Sequence, residues 1–291
     1  MLMSILEQGL IYGILALGLL ITYRILDFPD LTVDGSFPMG AAVSAVLTAQ
    51  GVPPVLSLAA AVLAGAAAGL VTGLIHVKCK VRDLLSGIIT MTALYSINLH
   101  IAGKANVPLF AYDTLFKNAW TKSLPPALTP FATLAVVLVI ALAAKLLLDW
   151  FLRTKAGYLL RAAGDNAAVV TTLARDQGGV KIVGLMIANA LVSLSGAVLC
   201  QQQRFFDISM GTGTMVIGLA SVIIGTNLFK GARWMKSTTA VLVGSILYKG
   251  CVSLALSLGL DSQDMKLVTA ALFLLILLAW TLPRKKVRIH A

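Results

Sequence analysis

The chain contains 291 residues, of which 58% are hydrophobic and 12% are charged. Soluble domains average roughly 45–50% apolar and about 25% charged residues, so this balance is that of a polytopic membrane protein and excludes a soluble enzyme, a disordered chain and a disulfide scaffold. The net charge of +11 arises from 23 Lys and Arg against 12 Asp and Glu, and the positions of these residues decide between nucleic acid binding and a membrane topology signal.

Apolar runs predict nine membrane spans. In chain order they are 2–23, 36–50, 54–77, 84–103, 128–151, 181–203, 213–229, 237–258 and 265–282. Nine spans of about 20 residues use roughly 180 residues, which leaves too little chain for a further soluble domain of ordinary size. We therefore predict an all-α, polytopic membrane helix bundle in which residues 1–291 form a single transmembrane domain.

The basic residues divide unequally between the two sides of such a bundle. With the N-terminus outside, the inner connections carry 16 Lys and Arg and the outer connections carry five. Cytoplasmic loops collect Lys and Arg, so we predict a multi-pass membrane protein with its N-terminus outside and its C-terminus inside. The same distribution removes the main support for nucleic acid binding.

A weak internal repeat links two polar segments. Residues 30–36 (DLTVDGS) resemble residues 207–213 (DISMGTG), and each copy follows a long span and precedes a short, Gly-rich one. Five spans separate the copies, which would invert one half relative to the other, as in many transporters. Two polar turns rich in helix-capping residues explain the same pattern, and both interpretations stay open.

Polar residues near or within the spans are candidates for a substrate path. They are Asp30, Asp34, Asn98, Gln202, Asp207 and Lys249. A charge in lipid is costly, so an intramembrane Lys249 suggests a functional site. The structural alternatives are a lysine that snorkels from a helix kinked at Gly250 and hydrogen bonds that join helices through Asn98 and Gln202.

The sequence contains no constellation typical of catalysis. The three histidines stand alone, no pair has the spacing of a zinc site, a triad or a di-carboxylate centre, and a Walker-type loop is absent. We therefore expect no catalytic residue, no metal and no cofactor in this chain.

Two connections are long enough to be structured. In residues 152–180, two short helices fit, 155–162 and 166–174, with a sharp bend at Gly164 and a cap from Asp165 or Asn166. Two interpretations of this helix pair stay open. It docks into a groove of a partner protein, or it lies on the lipid surface as an amphipathic pair. The outer connection 104–127 is interpreted as a lid or rim, or as an interfacial aromatic belt. Its aromatic residues are Phe110, Tyr112, Phe116 and Trp120.

The first of these connections resembles the coupling segment of ABC-importer permeases of the branched-chain amino acid and monosaccharide class. The pattern is Thr154-x-x-Gly157-x-x-x-Arg161-Ala162-x-Gly164-Asp165-Asn166. Residues 30–37 and 207–225 are similar to the first and later halves of that family. The closest resemblance is to a subgroup linked to amino-acid-binding lipoproteins, including tryptophan and tyrosine systems.

The resemblance implies an inverted-repeat, type II ABC-importer-like permease of a bacterial cytoplasmic (inner) membrane. It forms the path for a small solute, here an amino acid of aromatic or branched-chain type. The resemblance also implies four kinds of partner: a cytoplasmic ABC ATPase, an extracytoplasmic substrate-binding lipoprotein, a second permease copy and membrane lipid. ATP and Mg²⁺ would be bound by the ATPase. The ATPase-docking residues would be Thr154, Gly157, Arg161, Gly164, Asp165 and Asn166. The alternative is a stand-alone secondary transporter or channel that couples ions through Asp30, Asp34 and Asp207.

Overall fold

The computed structural model describes residues 2–118, 121, 123, 125, 128–165, 177–231, 235–257 and 265–281. The α-helices in this part of the chain are α1 (Leu2–Leu19), α2 (Val33–Ala49), α3 (Pro54–Val77), α4 (Asp83–Ala102), α5 (Thr129–Phe151), α6 (Lys155–Asp165), α7 (Gln177–Gln203), α8 (Thr214–Leu228), α9 (Ser237–Ser257) and α10 (Met265–Thr281). Helix α1 continues as a π-helix over Leu20–Ile25, and a 3₁₀-helix spans Ile208–Gly211. Strands β1 (Asn106–Pro108) and β2 (Phe205–Asp207) form an antiparallel ribbon.

The predicted all-α membrane bundle is confirmed, and each predicted span overlaps one of these helices. Seven helical segments of the described chain are long and apolar enough to cross a membrane. Helices α2 and α10, with 17 residues each, are shorter, so the number of nine spans stays a prediction. The ribbon is not predicted from sequence, because strands of three residues carry too little alternation to be recognised.

Helix α7 is the centre of the bundle, with α1, α2 and α3 packed along it. Small residues permit this approach: a Cβ at Gly65 would overlap the Asn189 carbonyl oxygen, and a Cβ at Gly40 would overlap that of Ser193. The Ser193 hydroxyl donates to the Ala61 carbonyl oxygen at 2.8 Å. Close backbone packing and buried hydrogen bonds therefore hold these helices together, as expected where lipid supplies no hydrophobic drive for association.

Basic residues collect at one end of the bundle, which we call the basic end. There α3 and α5 finish and α7 and α9 begin. Asp149 joins two of these helices: it accepts hydrogen bonds from Lys145 (3.3 Å) on its own helix and from Lys236 (2.9 Å) and Thr238 (2.7 Å) at the start of α9. The basic residues near this end are Arg24, Lys78, Lys80, Arg82, Arg153, Lys155, Arg161, Lys181 and Lys236. The ribbon lies at the opposite end.

Helix α2 begins inside the bundle rather than at one of its ends. Ser36, in its first turn, donates to the side-chain oxygen of Asn189 at 2.7 Å, and Asn189 is near the middle of α7. From there α2 runs to the opposite end, where Ser44 Oγ accepts a hydrogen bond from Gln201 in the last turn of α7 at 3.0 Å. Its start is therefore about half-way along the longest helix of the bundle.

Asp34 joins the start of α2 to the start of α8. Its Oδ1 accepts hydrogen bonds from the Met215 N–H (2.8 Å) and the Thr214 hydroxyl (3.0 Å), and its Oδ2 accepts one from the Gly213 N–H (3.1 Å). Helix α8 leads from this contact towards the first turn of α9, at the basic end. The two helices thus start together and run in opposite directions, which is the arrangement that the inverted repeat predicts.

Removal of the Asp34 carboxylate should destabilise the junction between α2 and α8. Asp34→Ala leaves the partly buried N–H groups of Gly213 and Met215 without this acceptor, which costs on the order of 1 kcal/mol. We expect a lower midpoint of thermal unfolding for the detergent-purified protein and an intermediate value for Asp34→Asn, which keeps one acceptor oxygen.

The matched control is Asp83→Ala. Asp83 opens α4 and its carboxylate accepts the exposed Leu84 N–H at 2.9 Å, so water can replace it. Equal losses of stability in the two alanine variants would contradict the role given to Asp34.

Candidate functional site

Helix α6 crosses the basic end, and Thr154 begins it. The Thr154 hydroxyl donates to the Phe151 carbonyl oxygen (2.6 Å) and accepts from the Gly157 N–H (3.3 Å), so it caps the helix. A Cβ at Gly157 would overlap the Leu152 backbone. These two residues of the predicted docking set therefore form the tight turn from α5 into α6.

Gly164 lies in the last turn of α6, so the first short helix is longer than predicted. The helix predicted over 155–162 continues through Gly164 to Asp165. A Cβ at Gly164 would overlap the carbonyl oxygen of Ile25, the last residue of the π-helix that extends α1. The glycine is thus required for close approach between α6 and α1. Asn166 and the second predicted helix, 166–174, lie outside the described residues.

The two faces of α6 differ. Leu160 is 1% exposed and packs among apolar residues of the bundle, whereas Arg161 is exposed. Arg161 borders a cavity of about 430 Å³ at the basic end, together with Arg24, Arg153 and Asp149. One face of α6 is therefore held by the bundle, and the other presents a basic surface.

Asp30 is buried in the connection between α1 and α2. Its carboxylate accepts hydrogen bonds from the Thr32 N–H (2.9 Å) and from Asn189 Nδ2 (2.8 Å). The Thr32 hydroxyl in turn lies 2.8 Å from the Thr72 hydroxyl of α3. This network ties the connection to α7 and α3 at mid-depth in the bundle.

Gln202 and Lys249 both contact α1. Gln202 Nε2 donates to a carboxylate oxygen of Glu7 at 3.2 Å. Lys249 is 9% exposed and its Nζ lies 3.8 Å from the centroid of the Tyr12 ring, a cation–π contact. The structure therefore places these two residues between α1 and its neighbours, away from Asp30.

Asp207 ends β2, and its carboxylate accepts a hydrogen bond from the Ser209 N–H at 2.8 Å. It therefore caps the 3₁₀-helix that leads to the start of α8. Across the ribbon its register partner is Asn106.

The aromatic residues of the outer connection, 104–127, differ in their exposure to solvent. Phe110 and Tyr112 are exposed and Phe116 is buried. Arg204 lies 5.4 Å from the centroid of the Phe110 ring. Trp120 lies outside the described residues.

Asp34 and Asn98 are the two predicted path residues that the structure brings to one cavity. This cavity of about 340 Å³ lies between α2, α4 and residues 208–212. Asn98 is fully buried, and its Nδ2 donates to the Gly35 carbonyl oxygen at 3.0 Å. Its Oδ1 has no hydrogen-bond partner in the described part of the chain.

From its middle onwards, helix α4 exposes polar side chains beside apolar ones such as Ile97 and Leu99. Thr92, Ser96 and His100 are exposed at a spacing of four residues. At the same spacing α5 exposes apolar residues, which are Leu138, Leu142, Leu146 and Trp150. Polar membrane-helix faces generally meet protein or a water-filled path rather than lipid. On α4, the sequence predicted only Asn98 as a path residue. The four-residue spacing of Thr92, Ser96 and His100 is the signal that could have identified the other polar residues.

Comparison with known proteins agrees with this architecture. Residues 1–278 match the family described as the branched-chain amino acid transport system permease component. The chain is 46% identical to the tyrosine transport system permease protein of Clostridioides difficile (strain R20291), over 92% of this chain and 87% of that protein.

More distant relatives are named for the transport of other substrates. Identity is 24% to the ribose import permease protein of Escherichia coli (strain K12), over 95% of this chain and 84% of the relative. It is 27% to a probable branched-chain amino acid transport permease protein of Methanocaldococcus jannaschii, over 78% and 76%. No solved structure matches the chain. With this match over nearly its whole length, the chain belongs to the branched-chain amino acid transport permease family, and it is a multi-pass inner-membrane permease subunit of an ABC transport system.

Proposed function

We propose that this permease imports an aromatic amino acid and is driven by a separate ATPase subunit that docks on residues 152–180. The main support for this proposal is the position of α6. One face of α6 packs against the end of α1, and the other face exposes Arg161. The aromatic cargo is supported by 46% identity to a tyrosine transport permease.

In this proposal the basic end faces the cytoplasm and the N-terminus lies outside. The bias of Lys and Arg towards that end supports the orientation. The ATPase binds ATP and Mg²⁺, and this chain performs no hydrolysis. Because a Cβ at Gly164 would overlap the Ile25 backbone, α6 and α1 are packed too closely to slide freely, so displacement of α6 by the ATPase displaces α1 with it.

The substrate path runs between two copies of the chain, which together form one transmembrane domain pair. The exposed polar residues of α4, Thr92, Ser96 and His100, support this arrangement, since α5 exposes apolar residues at the same spacing. The substrate-binding lipoprotein meets the opposite end, where Phe110 and Tyr112 are exposed in the connection 104–127.

The stand-alone transporter is less well supported. It requires acids that are available to bind and release a coupling ion. Asp34 and Asp207 instead cap helices, and Asp30 accepts hydrogen bonds that hold a connection in place. All three carboxylates therefore have a structural role, which Asp34 combines with one acceptor position left for a further donor.

Charge reversal on α6 should prevent docking of the ATPase. We expect Arg161→Glu to reduce co-purification of the ATPase and substrate-stimulated ATP hydrolysis strongly, because the exposed basic surface loses its complementarity to the partner. Pull-down and phosphate release from the complex in nanodiscs measure the two effects.

The control is Lys104→Glu, an exposed charge reversal at the opposite end. It should leave ATPase co-purification unchanged. Normal ATPase binding by Arg161→Glu, with membrane insertion intact, would refute the docking surface.

Transport itself is tested in proteoliposomes that contain the permease, its ATPase and its binding protein. Radiolabelled tyrosine should accumulate only with ATP, and an excess of phenylalanine or tryptophan should compete better than leucine. An ATPase variant that lacks its Walker lysine is the control. Accumulation that follows a proton or Na⁺ gradient without ATP would favour the stand-alone transporter.

A further inference from the structure

The cavity between α2, α4 and residues 208–212 carries hydrogen-bond acceptors but no cation. None of its lining residues is a lysine or arginine. Two of its lining residues, Asp34 and Asn98, carry side-chain oxygens that can accept hydrogen bonds. It therefore differs from the cavity beside α6, which is bordered by three arginines.

The Asn98 oxygen is an acceptor without a donor. The Gly35 carbonyl can only accept, so its hydrogen bond at 3.0 Å fixes Nδ2 on that side and leaves Oδ1 unpaired. A buried polar atom without a partner is costly, and most such atoms in proteins are satisfied. A ligand with N–H donors would satisfy this one.

Asp34 supplies a negative charge in the same cavity. A carboxylate offers about four acceptor positions, and Gly213, Thr214 and Met215 use three of them. A position is thus left for a further donor. A cationic donor is favoured over a neutral one, because a hydrogen bond between opposite charges is stronger than one from a neutral donor.

The rest of the lining fits the remainder of an amino acid. Met91, Tyr95 and Ile208 provide apolar and aromatic surface, and the hydroxyl of Thr212 can donate to a carboxylate. The hydroxyl of Thr92 instead donates to the Ile88 carbonyl oxygen of its own helix at 2.8 Å.

We propose that this cavity binds the ammonium group of the transported amino acid through Asn98 Oδ1 and the Asp34 carboxylate, with the aromatic side chain against Met91 and Tyr95. The inference rests on the proposed aromatic amino acid cargo. It assigns the recognition of the ammonium group to the permease, independently of the binding protein that delivers the substrate.

Thiol protection tests the site directly. Thr92 is exposed and lines the cavity, so Thr92→Cys is introduced after the native cysteines, Cys79, Cys200 and Cys251, are replaced by alanine. The permease–ATPase complex in nanodiscs is labelled with a water-soluble methanethiosulfonate. The matched control is Ser96→Cys, one turn further along the exposed face of α4 and outside the cavity lining.

Three probes separate the chemical groups. Tyrosine carries both charged groups, tyramine lacks the carboxylate, and 3-(4-hydroxyphenyl)propionate lacks the ammonium. We expect tyrosine and tyramine to slow labelling of Thr92→Cys and the propionate to have no effect. Labelling of Ser96→Cys should not respond to any of them. Equal protection by the propionate and tyramine, or protection at both cysteines, would overturn the assignment.

Two substitutions of Asn98 identify the acceptor. Asn98→Leu should raise the tyramine concentration needed for protection by about tenfold or more, because a hydrogen bond to a charged group is lost. Asn98→Asp keeps an acceptor oxygen and adds charge, so protection by tyramine should persist. Loss of protection in both variants, with both folded, would show that Asn98 only positions the backbone of Gly35.

The outcomes also separate this inference from the proposed cargo. Protection by tyramine without ATP-driven tyrosine uptake would contradict the proposed substrate and support the ammonium site. Uptake of tyrosine without any protection at Thr92→Cys would contradict the ammonium site and support the proposed substrate.

Discussion

The architecture depends on one constraint, which is that backbone N–H groups inside a membrane protein must find acceptors within the protein. Helices α2 and α8 both begin inside the bundle, where water is scarce, so their first N–H groups need partners there. Asp34 supplies the acceptor for α8 across the junction between the two halves. Asp30 and Asn189 hold the connection that precedes α2. The need for hydrogen-bond acceptors inside the bundle therefore explains the presence of Asp30 and Asp34.

The junction also concentrates polar groups at mid-depth. Between these two helix starts and α4 lies the cavity that Asn98 and Asp34 line. A path for a charged solute needs polar groups inside the bilayer, where each one is costly. Helices that begin inside the bundle provide such groups without placing a long run of charged residues within a span.

A chain of close contacts connects the basic end to this junction. Helix α6 contacts the end of α1 through Gly164. It contacts α7 through Leu160, whose side chain packs so close to Gly184 that a Cβ there would overlap it. Helix α7 carries Asn189, which bonds to both Asp30 and Ser36. In the proposed mechanism, a motion imposed on α6 reaches the start of α2 through two packed helices, without any flexible link among the described residues of that route.

The sequence by itself determined the class of protein, the order of its apolar segments and the short helix that begins at residue 155. These features depend on local composition, since hydropathy over about 20 residues predicts a span. The contact of Lys145 with Asp149 is also local, because residues four apart share a helix face. What the tertiary structure alone decided is which distant residues meet. The pairing of Asp34 with Gly213, the contact of Gly164 with Ile25 and the unpaired oxygen of Asn98 depend on how helices far apart in sequence pack together, and hydropathy carries no information about that packing.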